Sequence, residues 1–181
     1  MPASVYSTST TRYPGTTTAT NRPGTSYTGR RTARAATIAA SVISQDIICA
    51  ISESRGISPT VGLAFVNLST SEAVLCQICD SQTYARTVQK LMVFDPTEIL
   101  FMRTAKESNS KLYAVVKENL SQLTITTIDR RYWAENRGHE YVDQLALRDD
   151  LESIKISLEG SYFAACCLAA VCQTRLPAWL F

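Results

Sequence analysis

Histidine is all but missing from this 181-residue chain, where His139 is the only one. That excludes Ser-His-Asp triads supported by a motif and any metal site built from several imidazoles. A lone His in a polar stretch reads as a solvated surface group. Glycine is scarce too, at seven residues. Neither G-x-x-x-x-G-K-[ST] nor G-x-G-x-x-G occurs, so the usual phosphate cradles are not written in this sequence. No acid precedes Asp46, no secretory signal is visible, and no apolar run reaches the roughly twenty residues that span a bilayer. These absences point to a reducing compartment and away from a membrane.

The charge that is present is unevenly placed. Residues 1 to 45 hold Arg12, Arg22, Arg30, Arg31 and Arg34, whereas the whole chain carries +2. Residues 46 to 181 therefore carry −3, which gives no bulk electrostatic case for nucleic-acid binding there. Residues 1 to 41 are rich in Thr, Ser, Ala and Arg, broken by Pro and Gly, and almost free of large aliphatic side chains. Such a stretch buries too little apolar surface to offset its chain entropy and is expected to be disordered. A solvated tail, a basic arm on phosphates and a mitochondrial presequence are its open readings. Its hydroxyls are possible phosphate acceptors.

From Val42 the pattern is that of a folded domain. Ile47–Ile51, Val61–Leu68 and Ala73–Cys79 are short apolar runs separated by polar turns, the mark of hairpin-linked strands. Tyr84, Val88, Leu91 and Met92 then recur at helical spacing, and Ile99–Met102 returns to strand. Ser108-Asn-Ser110 offers N-cap chemistry for a helix with Leu112, Val115, Val116 and Leu120 on one face. Leu123–Ile128 is β-branched and reads as a fifth strand. The alternation from Ala73 to Ile128 predicts parallel strands with right-handed crossovers. The fold class expected is α/β, a ribonuclease-H-like mixed sheet of three antiparallel and two parallel strands with helices. Residues 42 to 150 form that domain. A short helix is expected around Glu140–Leu147. A helix from about Ser157 to Cys172, apolar on every side from Tyr162 to Cys172, is expected to leave the sheet as an isolated element of residues 151 to 181. An all-round apolar helix needs packing on all sides, and the sequence names no partner for it, so Tyr162–Phe181 is expected to aggregate and truncation near Leu151 to raise solubility. The chain reads as cut off after Cys172, as a truncated product or an intron read as coding sequence would be.

A ribonuclease-H-like sheet invites a nuclease test, which needs carboxylates gathered at strand ends around two Mg2+ about 4 Å apart. Asp46, Asp80, Asp95 and Asp129 flank strands, Glu98 precedes one, and Asp46 alone lies near a useful position on the first strand. They read as turn and helix caps, with no catalytic, cofactor-binding or metal residues assigned. Cys76-Gln-Ile-Cys79 has redox or zinc spacing but no second pair and no nearby His, so the cysteines read as reduced structural thiols. Arg130, Arg131, Tyr132 and Trp133 form the one basic-aromatic cluster of the folded part. They are the candidates for contact with DNA backbone or a protein partner, against a reading in which the rings cover the sheet edge and the arginines stay solvated.

Three stretches carry a family resemblance. They are Thr83-Tyr-Ala-Arg-Thr-Val-Gln-Lys-Leu-Met-Val-Phe-Asp-Pro-Thr-Glu-Ile-Leu100, Asn109-Ser-Lys-Leu-Tyr113 and Arg131-Tyr-Trp-Ala-Glu-Asn-Arg-Gly-His-Glu-Tyr-Val-Asp-Gln-Leu145. In order and spacing they resemble the connector region of the MutS family, in its meiosis-specific branch. The resemblance implies a non-catalytic connector in a DNA clamp. The family pairs this type of subunit with a second MutS homologue (homolog 5) on branched DNA such as Holliday junctions, in the nucleus, to promote crossing-over; other members act in mismatch repair. The clamp is driven by ATP and Mg at an ATPase domain whose motifs this chain does not carry, and relatives receive MutL-type proteins at the connector. On this reading the helix from Ser157 is the first lever helix. No Phe-x-Glu wedge occurs, which fits the meiotic type. A stand-alone degenerate ribonuclease-H-like adaptor that binds a protein partner is the other reading.

Overall fold

The computed structural model describes residues 45 to 176. The expectations for residues 1 to 41 and for the last five residues lie outside them. Five strands form one sheet: β1 Ile47–Glu53, β2 Thr60–Asn67, β3 Glu72–Cys79, β4 Glu98–Met102 and β5 Thr124–Ile128, in the order β3-β2-β1-β4-β5. β1 pairs antiparallel with β2, and β2 with β3. β4 lies parallel to β1 and β5 parallel to β4. This is the ribonuclease-H-like mixed sheet that chain order predicts, and Ile47, Phe65, Leu75, Ile99 and Ile125 all sit in it.

Side chains alternate across the sheet, and the two faces collect two cores. Cys49, Ile51, Val61, Leu63, Phe65, Ile99 and Phe101 face α1 (Ala85–Phe94) and α3 (Lys111–Asn119), which cover them with Leu91, Leu112 and Val116. A short α2 (Arg103–Glu107) intervenes between β4 and α3. Ile48, Ala50, Ala64, Val66 and Leu100 face the other way. There they meet a layer of α4 (Glu135–Leu145), α5 (Leu151–Leu158) and α6 (Tyr162–Arg175). Burial on both faces is why β1 and β2 read as continuous apolar runs rather than as alternation. No helix among the described residues is long and apolar enough to cross a membrane.

Local chemistry sets the element ends. Ser110 caps α3 as expected, its Oγ accepting from the Tyr113 amide at 3.2 Å. α1 is capped less directly. Its N-cap Tyr84 is left-handed (φ 52°) and gives no side-chain cap. Asp80 serves instead: Oδ2 accepts from the amide and the hydroxyl of Thr87, both at 2.8 Å, and Oδ1 from the Ser81 amide at 2.8 Å. Burial alone raises the Asp80 carboxyl, but these hydrogen bonds outweigh it and hold the pKa below its ordinary value. Met92, expected on the buried face of α1, is 55% exposed.

The C-terminal layer corrects the sequence reading twice. One helix from Ser157 to Cys172 is in fact two, α5 and α6, broken at Gly160, which takes the left-handed φ of 76°. Nor is α6 isolated. It lies on the faces of β1 and β2, with α4 and the Arg130–Tyr132 turn against it. Residues from Ala164 to Cys172 are all buried. The all-round apolar character that seemed to require missing neighbours is satisfied by the sheet below and α4 beside it. Glycine makes the close approach possible. A Cβ on Gly62 of β2 would stand 2.3 Å from the Phe163 carbonyl carbon, and one on Gly138 of α4 would stand 2.2 Å from the Ala165 oxygen.

A charged clamp fixes the far end of α6. Arg175 Nε donates to Glu98 Oε2 at 2.8 Å, Arg175 Nη2 donates to Oε1, and Thr126 Oγ1 donates to Oε1 as well. The Arg175 hydrogen bond is the chief cause that holds the Glu98 carboxyl below its usual range; burial opposes it and Thr126 adds to it. Arg175→Met leaves a half-buried carboxylate without its guanidinium and is expected to cost about 1–3 kcal/mol at neutral pH. A carboxyl depressed in the fold stabilises above its unfolded pKa, about 4.3 for Glu, and loses that contribution as pH falls through the folded value. Urea unfolding of both proteins should therefore show a constant gap near neutrality that narrows below about pH 4. A gap that widens in acid contradicts this role.

Candidate functional site

β1, β4 and β5 run parallel, so their C-terminal ends share one edge of the sheet. There the chain order reverses: β1 has β2 on one side and β4 on the other. In open α/β sheets the crevice at such a switch point is where ligands and partners settle. A cleft of about 1070 Å³ lies there, lined among others by Glu53, Arg55, Met102, Arg130, Trp133 and Tyr162.

The expected cluster reaches this place only in part. Arg130–Tyr132 is a single 3-10 turn, which sends neighbouring side chains in different directions. Arg130 is exposed and lines the cleft, and Trp133 lines it from below, 5% exposed. Trp133 belongs to the core under α6, and its Nε1 has no hydrogen-bond partner among the described residues. Arg131 and Tyr132 are not among the lining residues. They engage each other, the guanidinium carbon 4.7 Å from the ring centroid and Nη2 donating to the tyrosine hydroxyl at 2.8 Å.

Each acid considered for metal binding except Asp95 has a structural partner. Asp46 Oδ1 accepts from Thr97 Oγ1 at 2.9 Å, Asp129 pairs with Arg103 at 3.0 Å, and Glu98 is held by Arg175. Asp80 serves α1, and Asp95 sits in a left-handed conformation (φ 44°) that ends α1. Glu53 Oε2 accepts from the Tyr84 hydroxyl at 2.8 Å; burial first, then this bond, raises the Tyr84 pKa strongly. Arg55 and Arg130 form no ion pair with any described residue and are the cleft's unspent positive charge. Among the described residues no group of three or more His, Cys, Asp and Glu is arranged to hold a metal ion.

The cysteine spacing is resolved by strand geometry. Cys76 and Cys79 both lie on β3, three residues apart, and so point to opposite faces. Every cysteine is free. Cys167 is buried against the sheet, its thiol donating to the Gly62 carbonyl at 3.3 Å and lying 3.2 Å from Ser52 Oγ. Desolvation pushes the Cys49, Cys76, Cys167 and Cys172 thiols up, the opposite of what a reactive thiolate needs. His139 is half-exposed, with Nε2 3.8 Å from Glu135 one turn earlier.

Sequence reasoning missed a second, apolar groove. It lies between the outer strand β3 and the helical layer, holds about 1000 Å³, and is lined by Leu75, Tyr141, Leu145, Leu147, Ile154 and Leu168 among others. Leu147, 74% exposed at its rim, is the signal: a large aliphatic beside the charged Arg148-Asp-Asp break has no reason to be there for solubility.

The family model for MutS domain II matches residues 46–172, the whole sheet and all but the last turn of α6. The chain belongs to the MutS family. MutS domain II thus includes α6, which on this match is part of the domain and not an appendage to it. Among curated relatives, "MutS protein homolog 4" of Homo sapiens is 33% identical over 136 residues, 74% of this chain and 14% of the relative. Its Mus musculus counterpart is 33% identical over 135 residues, 73% and 14%. That of Saccharomyces cerevisiae is 30% identical over 128 residues, 68% and 15%. The chain therefore spans about one seventh of the length of these relatives. Among solved structures, the HTLV-2 integrase catalytic core domain aligns with a TM-score of 0.31 at 9% identity, covering 72% of this chain and 86% of that one. The BIV integrase core aligns at 0.33 and 14%, covering 72% and 85%. Likeness this distant adds nothing to the topology already described.

Proposed function

We propose that this MutS domain II is the non-catalytic connector of a DNA clamp that acts in meiotic recombination. In that role the subunit pairs with a homolog 5-type MutS partner in the nucleus and engages branched DNA such as Holliday junctions to promote crossovers. ATP and Mg belong to the ATPase domain of full-length family members, and MutL-type proteins are further partners of the assembly. The single observation that carries the reading is that relatives from human, mouse and yeast, each named MutS protein homolog 4, align across the same domain at 30–33% identity. The geometry supports a connector: a sheet covered on both faces, and a cleft that offers Arg55 and Arg130 as unpaired positive charges beside the acid Glu107, with no metal-binding group among the described residues.

The test is a graft. Residues 46–172 replace the matching segment of the Saccharomyces cerevisiae homolog 4, and crossing-over is scored in tetrads alongside co-purification with the yeast homolog 5. The chimera is expected to form the heterodimer and to raise crossing-over clearly above the level of a deletion strain. A chimera that accumulates normally yet neither pairs nor exceeds the deletion overturns the proposal.

A further inference from the structure

The loop between β1 and β2 is a short hairpin closed at its base and open at its tip. Ser54 N donates to the Thr60 carbonyl at 2.8 Å, and Thr60 N donates back to Ser54 Oγ at 2.8 Å. Between them Arg55, Gly56, Ile57 and Ser58 are all exposed, with Ile57 91% exposed. Gly56 takes a φ of 152°, and nothing stands within 4 Å of where its Cβ would be. Pro59, next in the chain, is buried and anchors the returning strand. The tip therefore presents a serine hydroxyl to solvent beside a fixed proline, with an arginine three residues earlier.

That arrangement is the substrate pattern of a proline-directed kinase. Such enzymes read the missing amide and fixed φ of the residue after the acceptor, so the loop must open at its tip to bring the buried Pro59 into the enzyme's reach. Ser58-Pro59 is the only Ser-Pro or Thr-Pro step in all 181 residues; the other prolines follow Met1, Tyr13, Arg22, Asp95 and Leu176. The many serine and threonine hydroxyls of residues 1 to 41 include none before a proline. One cation is linked to the tip through a single side chain. Gln82 Nε2 donates to the Ile57 carbonyl, the peptide that leads into Ser58, at 2.8 Å, and Lys111 Nζ donates to Gln82 Oε1 at 3.4 Å. Arg55, on the same loop, lines the strand-end cleft.

We propose that Ser58 is a phosphorylation site for a proline-directed serine/threonine kinase. The γ-phosphoryl group of ATP passes to Ser58 Oγ. The new P–O bond forms as the bond to the β-phosphate oxygen breaks, ADP leaves with that electron pair, and a carboxylate of the kinase takes the hydroxyl proton. A phosphoserine carries about −1.5 to −2 at neutral pH, so the loop's single positive charge becomes a net negative one. The new charge stands on the loop that carries Arg55 into the cleft lining, and Arg55 is a cation able to pair with the phosphate.

The full chain is incubated with a cyclin-dependent-type kinase and ATP, then read by intact mass and phosphopeptide mapping. One phosphate is expected, on Ser58, and none in Ser58→Ala. Pro59→Ala is expected to lower the initial rate at least about tenfold, with its melting curve checked so that a misfolded variant is not scored. A peptide spanning residues 50 to 64 is run in parallel. Labelling of the peptide but not of the folded chain overturns the proposal, as does a phosphate found on other hydroxyls with Ser58 unmodified.

Discussion

Ending the chain at Asp150 is expected to abolish cooperative folding rather than to improve solubility. The truncation removes α5 and α6, and with α6 the cover over Ile48, Ala50, Ala64, Val66 and Leu100. From Ala164 to Cys172 nine residues of α6 are buried. At about 1–2 kcal/mol for each buried apolar side chain, their loss is on the order of 10 kcal/mol. A domain of this size has only about 5–15 kcal/mol in total, so the remaining sheet does not survive with one face open to water. The truncated chain should lose its sigmoidal thermal transition, bind a hydrophobic dye and appear in the insoluble fraction. A shortened chain that melts sharply at the temperature of the full-length protein would show that α6 contributes nothing to the domain.

That expectation reverses the one drawn from composition, and the reason is instructive. The strands were legible because their signal is local: each is a short apolar run between polar turns, and Ile47–Ile51 and Ile99–Met102 needed no knowledge of the rest of the chain. The strand directions followed from chain order, since hairpins pair neighbours and crossovers make parallel strands, whereas the place of β4 beside β1 is set by the fold. The address of α6 is non-local. Its sequence states that it is buried on all sides but not against what, and Ser52, Gly62 and Gln77, which receive it, lie more than eighty residues earlier. Gly62 inside a strand reads as a weakness until the helix that needs its missing side chain is in view. The cleft was legible only in part for a similar reason. Arg130 to Trp133 is one motif on paper, but a 3-10 turn divides it, so Arg130 and Trp133 reach the strand ends while Arg131 stacks on Tyr132. The opposite facing of Cys76 and Cys79, by contrast, follows from the strand period alone and could have been read from the sequence.

Gly62→Val is expected to be the most damaging single substitution in the sheet. The obstacle is backbone, not a movable side chain: an added Cβ would meet the Phe163 carbonyl carbon at 2.3 Å, the Phe163 Cβ at 2.4 Å and the Ala164 amide nitrogen at 2.6 Å. Relief requires α6 to lift from β2. Lifting breaks the Cys167 contact to the Gly62 carbonyl, the Ser52 hydroxyl bond to the Phe163 carbonyl, and the Gln77 carboxamide contacts to Phe163 N and the Gly160 carbonyl. The helix cannot slide sideways instead, because Gly138 of α4 already lies against Ala165. Overpacking typically costs about 1–3 kcal/mol where neighbours adjust; here they are main chain on two sides, so a loss of at least about 3 kcal/mol is expected. For a domain of this size that is a fall of roughly 10 °C in melting temperature. Gly56→Ala is the paired control. Its site is open and only its φ of 152° is unfavourable to a side chain, so the cost there is about 1 kcal/mol of backbone strain. Thermal and urea melts of the two variants separate the causes. Equal losses would mean that Gly62 is kept for its backbone freedom, whereas a much larger loss at Gly62 identifies the close approach of α6 as the contact on which the sheet's second face depends.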